Sequence, residues 1–136
     1  MSSTRLDLWP HYLEEAINAA RAEPFRWGRH DCGLFASDCI LAMTGTDPAA
    51  EFRGQYQSAL GAARILRRLG GLAGLVASRG YPEHATLLYA QAGDVVYLQR
   101  GRTEALGICV GSRVAFLGAT GLVFAPLTEA SRAWRV

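Results

Sequence analysis

The chain contains no lysine: all 14 of its basic residues are arginine, set against 12 acidic ones for a formal charge of +2. No basic run with interleaved aromatics occurs, and Arg67-Arg68 reads as one turn of a solvated helix face. A nucleic-acid-binding surface is therefore not expected. Cysteine is scarce and odd in number, at three, without paired spacing, which fits a reducing compartment better than a disulfide framework. With only three histidines and no Cys-x-x-Cys pair, no metal site is expected, and no cofactor motif is visible. No apolar run reaches membrane length, so membrane insertion is not expected. The opening residues MSSTRLDLWP lack the charged-then-apolar pattern of a signal peptide. Repeats, low-complexity tracts and linkers are missing too. What remains is a 136-residue chain, half hydrophobic, which predicts one folded domain over 1–136.

Helical signals fill the first half. Pro10 opens a predicted helix to about Ala22, with Leu13, Ala16, Ile17 and Ala20 on one face and Pro24 after its end. Phe25 to His30 is expected to be extended. The apolar run Leu34, Phe35, Ala36, Cys39, Ile40, Leu41 predicts a buried helix from Cys32 to Met43, N-capped by Asp31 and stopped at Gly45. Asp38 must then emerge at the helix edge or find a partner. A loop carrying Phe52, Arg53, Gly54 and Tyr56 leads to predicted helices at Ser58–Leu69 and Leu72–Ser78, and Tyr81–Gln91 reads as irregular.

Strand signals fill the second half: Asp94–Gln99, Leu106–Val110, Val114–Leu117, Leu122–Phe124 and Ala133–Val136, separated by glycine-rich turns. Helices first and closely spaced strands second predict an α+β fold, N-terminal helices packed on a small antiparallel sheet.

The stretch with chemical interest is FRWGRHDCGLFASD, residues 25–38. Cys32 falls at the first turn of the buried helix, where free backbone N–H groups and the helix dipole favour a thiolate. Cys39 and Cys109 read as packing residues. Cys109 shares strand parity with Ala105 and Gly107, and so is expected on the same side of the sheet as those two, toward any cleft they line. Trp9, Trp27 and Trp134 are core residues by default, with interface anchoring as the alternative.

The order Asp31-Cys32-Gly33 at a helix start, Gly93-Asp94 before a strand, and Ala105-Leu106-Gly107-Ile108 in the next resembles the NlpC-type, papain-like cell-wall peptidase superfamily. More closely, the whole chain resembles small phage and prophage proteins encoded among tail genes. The resemblance implies a papain-like fold with Cys32 at the nucleophile position, Gly33 replacing the usual serine, and Gly93-Asp94 as the turn motif. It also implies that the catalytic histidine position is Ala105, and that the residue orienting it falls near Phe116–Gly118, which offers no suitable side chain. Two of three catalytic positions are empty. His84 and His30 are the substitute bases to consider, with His11 on the first helix behind them; each also has an ordinary structural reading.

Three functions follow as expectations from this resemblance. The first is a tail-tip or baseplate structural protein with a degenerate cysteine-peptidase fold, binding tail hub or other tail-tip proteins. The second is an active, divergent cysteine hydrolase acting on peptidoglycan. The third is a tail assembly factor absent from the virion. The expected location is the host bacterial cytoplasm during assembly, then the virion tail.

Overall fold

The computed structural model describes residues 4–136. Four helices precede a five-stranded antiparallel sheet, an α+β architecture in the order expected from the sequence. Helix α1 spans Trp9–Ala22, with Pro10 in its first turn; it buries Leu13, Ile17 and Ala20. Helix α2 spans Cys32–Thr44 and is buried on nearly every side, with Phe35, Cys39 and Met43 fully enclosed. Burial of such side chains contributes about 1.5–3 kcal/mol each, which is why this strongly apolar helix occupies the centre. Its ends are fixed locally. Asp31 caps the N-terminus through Leu34 N–H, and Gly45, at φ 80°, turns the chain into the left-handed region and returns its N–H to Leu41.

Helices α3 (Ala59–Arg67, capped by Ser58) and α4 (Gly71–Ser78) pack against each other. The following segment is irregular except for a short 3-10 turn at Leu87–Tyr89. Strands β1 (Val95–Arg100), β2 (Thr103–Cys109), β3 (Arg113–Gly118) and β4 (Gly121–Pro126) form a meander. Strand β5 (Ala130–Trp134) then returns to the far side of β1, giving the order β4-β3-β2-β1-β5.

The sheet separates two apolar layers. On the helix side, Val95 and Tyr97 of β1 and Leu106 and Ile108 of β2 join α1, α2 and α4 in the main core, together with Trp134. On the opposite side Val96, Leu98, Cys109, Val114, Ala130 and Ala133 form a second, smaller layer, roofed by Leu87, Ala90 and Leu127. Cys39 is a core residue as expected. Asp38 emerges at the edge of α2 and meets Arg53, whose guanidinium also holds Asp47, so one arginine fastens the 46–57 loop to the helix.

Residues 25–30 depart from the expected extended form. They make a tight turn closed by an Arg26–His30 bridge, with Gly28 at φ 79°. The cause is Asp31: its Oδ2 accepts the Gly28 N–H at 3.0 Å and pulls the turn back over the start of α2. The loop chain then crosses so close that a Cβ on Gly28 would meet the Tyr56 carbonyl oxygen at 1.9 Å.

Candidate functional site

Asp31, Cys32 and Gly33 come together at the floor of a cleft of about 360 Å³. One wall is apolar, built from Leu34, Phe52, Leu66, Leu72 and Leu75, with Trp27 at the rim. The other is the start of β2 with the turn before it, Arg102, Thr103 and Glu104. The cleft exists because β2 pairs with β3 only from Gly107 onward. Thr103–Leu106 therefore leave a gap in the sheet edge, which the N-terminus of α2 occupies.

Asp31 organises the floor. It is 2% exposed and spends its carboxylate on three donors: Leu34 N–H at Oδ1, and Gly28 N–H and the Tyr56 hydroxyl at Oδ2. Burial and this hydrogen bond to Asp31 both push the Tyr56 phenol up, so it stays a donor. Across the cleft, Glu104 accepts from the Tyr97 hydroxyl at 2.6 Å and lies against Gly71 at the start of α4, where the helix dipole favours a carboxylate.

Cys32 has the helix-end placement that suits a nucleophile but not the corresponding electrostatics. Burial pushes its thiol up, and the Asp31 carboxylate adds to the shift; the backbone amides of Leu106, Gly33 and Cys32 itself favour the thiolate without overcoming the burial. Cys32 is thus held as a thiol. No histidine lines this cleft among the described residues.

The candidate bases lie elsewhere. His84 bonds Asp94 Oδ2 through Nε2 at 2.8 Å, in a separate pocket with Arg5, Gln91 and Val136. Asp94 precedes β1, whereas Glu104 beside the cleft pairs with Gln99 five residues on, roughly 16 Å along the strand. His30 is 1% exposed and turned toward Glu23, with Nδ1 3.3 Å from its carboxylate; neither ring nitrogen makes a hydrogen bond within the protein. His11 is a surface residue paired with Glu15. The structure brings none of the three to Cys32.

Gly93-Asp94 has a structural task. The Asp94 carboxylate is buried and gathers Arg5 and Val136 N–H at Oδ1, and His84 and Gln91 N–H at Oδ2. It fastens both termini of the described chain to the start of β1.

Ala105 and Gly107 require a correction. Both belong to the face of β2 away from the helices: Ala105 packs on the second layer, and a Cβ on Gly107 would strike Val114 and the Ala115 carbonyl. Cys109 shares that face, so it points away from the cleft rather than into it. The β2 residues of the right parity to meet α2 are Glu104, Leu106 and Ile108. Glu104 and Tyr97 carry no site signal in the sequence; Tyr56 carries a weak one, as part of a loop marked by aromatic and glycine residues. Of the tryptophans, Trp134 is core, Trp9 packs on the core edge, and Trp27 is the exposed one.

Among the described residues no group of three or more His, Cys, Asp or Glu side chains is placed to hold a metal ion, and no helix is long and apolar enough to cross a membrane. The chain is thus an α+β domain that sets a protonated thiol at a helix N-terminus, in a cleft whose lining holds carboxylates but, among the described residues, no histidine. It belongs to the family described as a domain of unknown function, DUF6950, whose model matches residues 4–136. No curated protein matches it.

Proposed function

We propose that this domain is a papain-like, NlpC-type scaffold that has lost peptidase chemistry and acts by binding. In the setting that the sequence resemblance implies, it is a structural component of a phage or prophage tail tip, and its partner is a tail hub or neighbouring tail-tip protein. One observation carries the reading. The Cys32 thiol lies in an apolar cleft whose lining holds no histidine, while His84 is committed to Asp94 and His30 to the space beside Glu23. A cysteine hydrolase needs a base beside its thiol and a proton donor for the leaving amine. A cleft with an apolar wall and a polar floor, by contrast, suits a protein ligand that buries one or two large side chains.

Purified protein incubated with peptidoglycan sacculi is expected to release no fragments above the level of the Cys32→Ala variant. Cleavage that depends on Cys32 would overturn the reading and restore the hydrolase. On the binding side, Leu66→Arg, at a partly buried position of the cleft wall, is expected to abolish co-purification with the tail hub protein, while an exposed substitution away from the cleft such as Glu14→Ala on α1 leaves it intact.

A further inference from the structure

We propose that β4 is a self-pairing edge through which two copies of this chain form one continuous sheet. The two edges of the sheet are not alike. Strand β5 is shielded: Glu83 bridges Trp134, His84 N–H donates to the Ala133 carbonyl, and Arg135 N–H donates to Pro82. Strand β4 has no such cover, and no hydrogen bond from its outward main-chain groups to any described residue occurs.

Which groups face outward follows from the ladder. Val110 N–H donates to the Arg113 carbonyl, so odd-numbered residues of β3 aim at β2 and even-numbered ones at β4. In the β3–β4 register Val114, Phe116 and Gly118 exchange hydrogen bonds with Ala125, Val123 and Gly121. Leu122 and Phe124 therefore present their N–H and C=O groups to the outside. Proteins ordinarily blunt such an edge with charge. Here no charged residue occurs from Val114 to Thr128. Pro126, lacking an N–H, limits how far an added strand can run.

The occupant is a second copy because the edge is complementary to itself. A two-fold axis through Val123 sets Leu122 of each copy opposite Phe124 of the other, and the four outward N–H groups of the pair meet four carbonyls. The antiparallel sense required by the axis closes the assembly as a dimer and leaves no free edge for a third copy. Side chains agree with the backbone. Val123 meets its own counterpart on the outer face, as a non-hydrogen-bonded pair of β-branched residues, and Leu122 meets Phe124 twice on the helix side. No charged residue lies in the ladder itself, and the Arg21 and Arg113 guanidiniums near it are each stacked on the Phe124 ring on the helix side. The paired segment is short, well under a standard interface of roughly 1,600 Å², so the dimer is expected to depend on concentration.

Sedimentation velocity of the full chain over a concentration series tests this. The expected result is a reversible shift from 14.7 kDa to twice that mass. Val123→Lys should weaken association on the order of tenfold or more by opposing two charges at the axis, with circular dichroism unchanged. Val123→Cys should form a disulfide to its own counterpart under mild oxidation, located by peptide mass spectrometry. Ala119→Cys should not, since its two copies would lie roughly 26 Å apart. A wild-type chain that stays monomeric throughout would overturn the proposal. So would a dimer indifferent to Val123→Lys or uncrosslinked by Val123→Cys, or an edge whose amides gain exchange protection only when a different protein is added.

Discussion

At the residue scale, Asp31 connects the turn before α2, the helix itself and the Tyr56 loop. Its capping role could be read in the sequence because a cap is a local device, set by one residue and the apolar run behind it. Its hold on Tyr56, 25 positions away, could not. Asp31→Ala is expected to cost roughly 2–4 kcal/mol, the sum of a lost cap and a buried phenol left without its acceptor; Tyr56→Phe should cost less, about 1–2 kcal/mol. Denaturant melts of the two variants check both figures and their order. A second residue effect has a pH signature. Burial and the hydrogen bond to Glu104 push the Tyr97 phenol up to about 12 from its ordinary 10.0. The unfolded chain therefore loses this proton first. The stability that Tyr97 contributes is fully present below pH 10 and is lost as pH rises from about 10 to about 12. Tyr97→Phe should flatten that part of the stability profile.

At the element scale, the helices were legible and the facing of the strands was not. Helix α2 appears with its predicted start, cap and glycine stop, and α1, α3 and α4 lie within a few residues of their expected limits. Those signals are local. Strand parity was also readable, but parity does not say which set faces the helices when both faces of a sheet are apolar. Ala105, Gly107 and Cys109 look no more outward than Leu106 and Ile108 until the second layer under Leu87 and Leu127 is seen. The same limit hid Glu104, whose place across the cleft from Cys32 depends on β2 and β3 parting before Gly107. Asp94 is the corresponding case at the other end of β1. The motif was visible, yet its partners come from residues 5, 84, 91 and 136. Asp94→Asn leaves Arg5 and His84 facing a neutral group in a buried site, and is expected to destabilise the fold by about 3–5 kcal/mol. Amide hydrogen exchange should then show both chain ends loosening together; a variant that melts like the parent would remove Asp94 from this role.

At the scale of the whole molecule, the sheet, its gap and the helix that fills the gap together create one cleft, and the two ends of β1 carry different duties. The cleft holds the thiol, Glu104 and the apolar wall; His84, the substitute base to consider, sits with Asp94 in a separate pocket at the start of β1. The proposed loss of catalysis rests on this separation more than on any single missing residue, since Ala105, the position that the resemblance assigns to the base, does not face the cleft at all.

The central claim is that Cys32 is an unactivated thiol, and the pH dependence of its alkylation tests this most directly. Native protein is labelled with iodoacetamide from pH 5 to 10, and each cysteine is followed by peptide mass spectrometry. With its thiol pushed up by burial and by Asp31, Cys32 is expected to label slowly at neutral pH and to accelerate only above the ordinary thiol value of about 8.5. Rapid labelling that reaches its plateau below pH 7 would reveal a stabilised thiolate, contradict the account, and return the domain to the cysteine hydrolases.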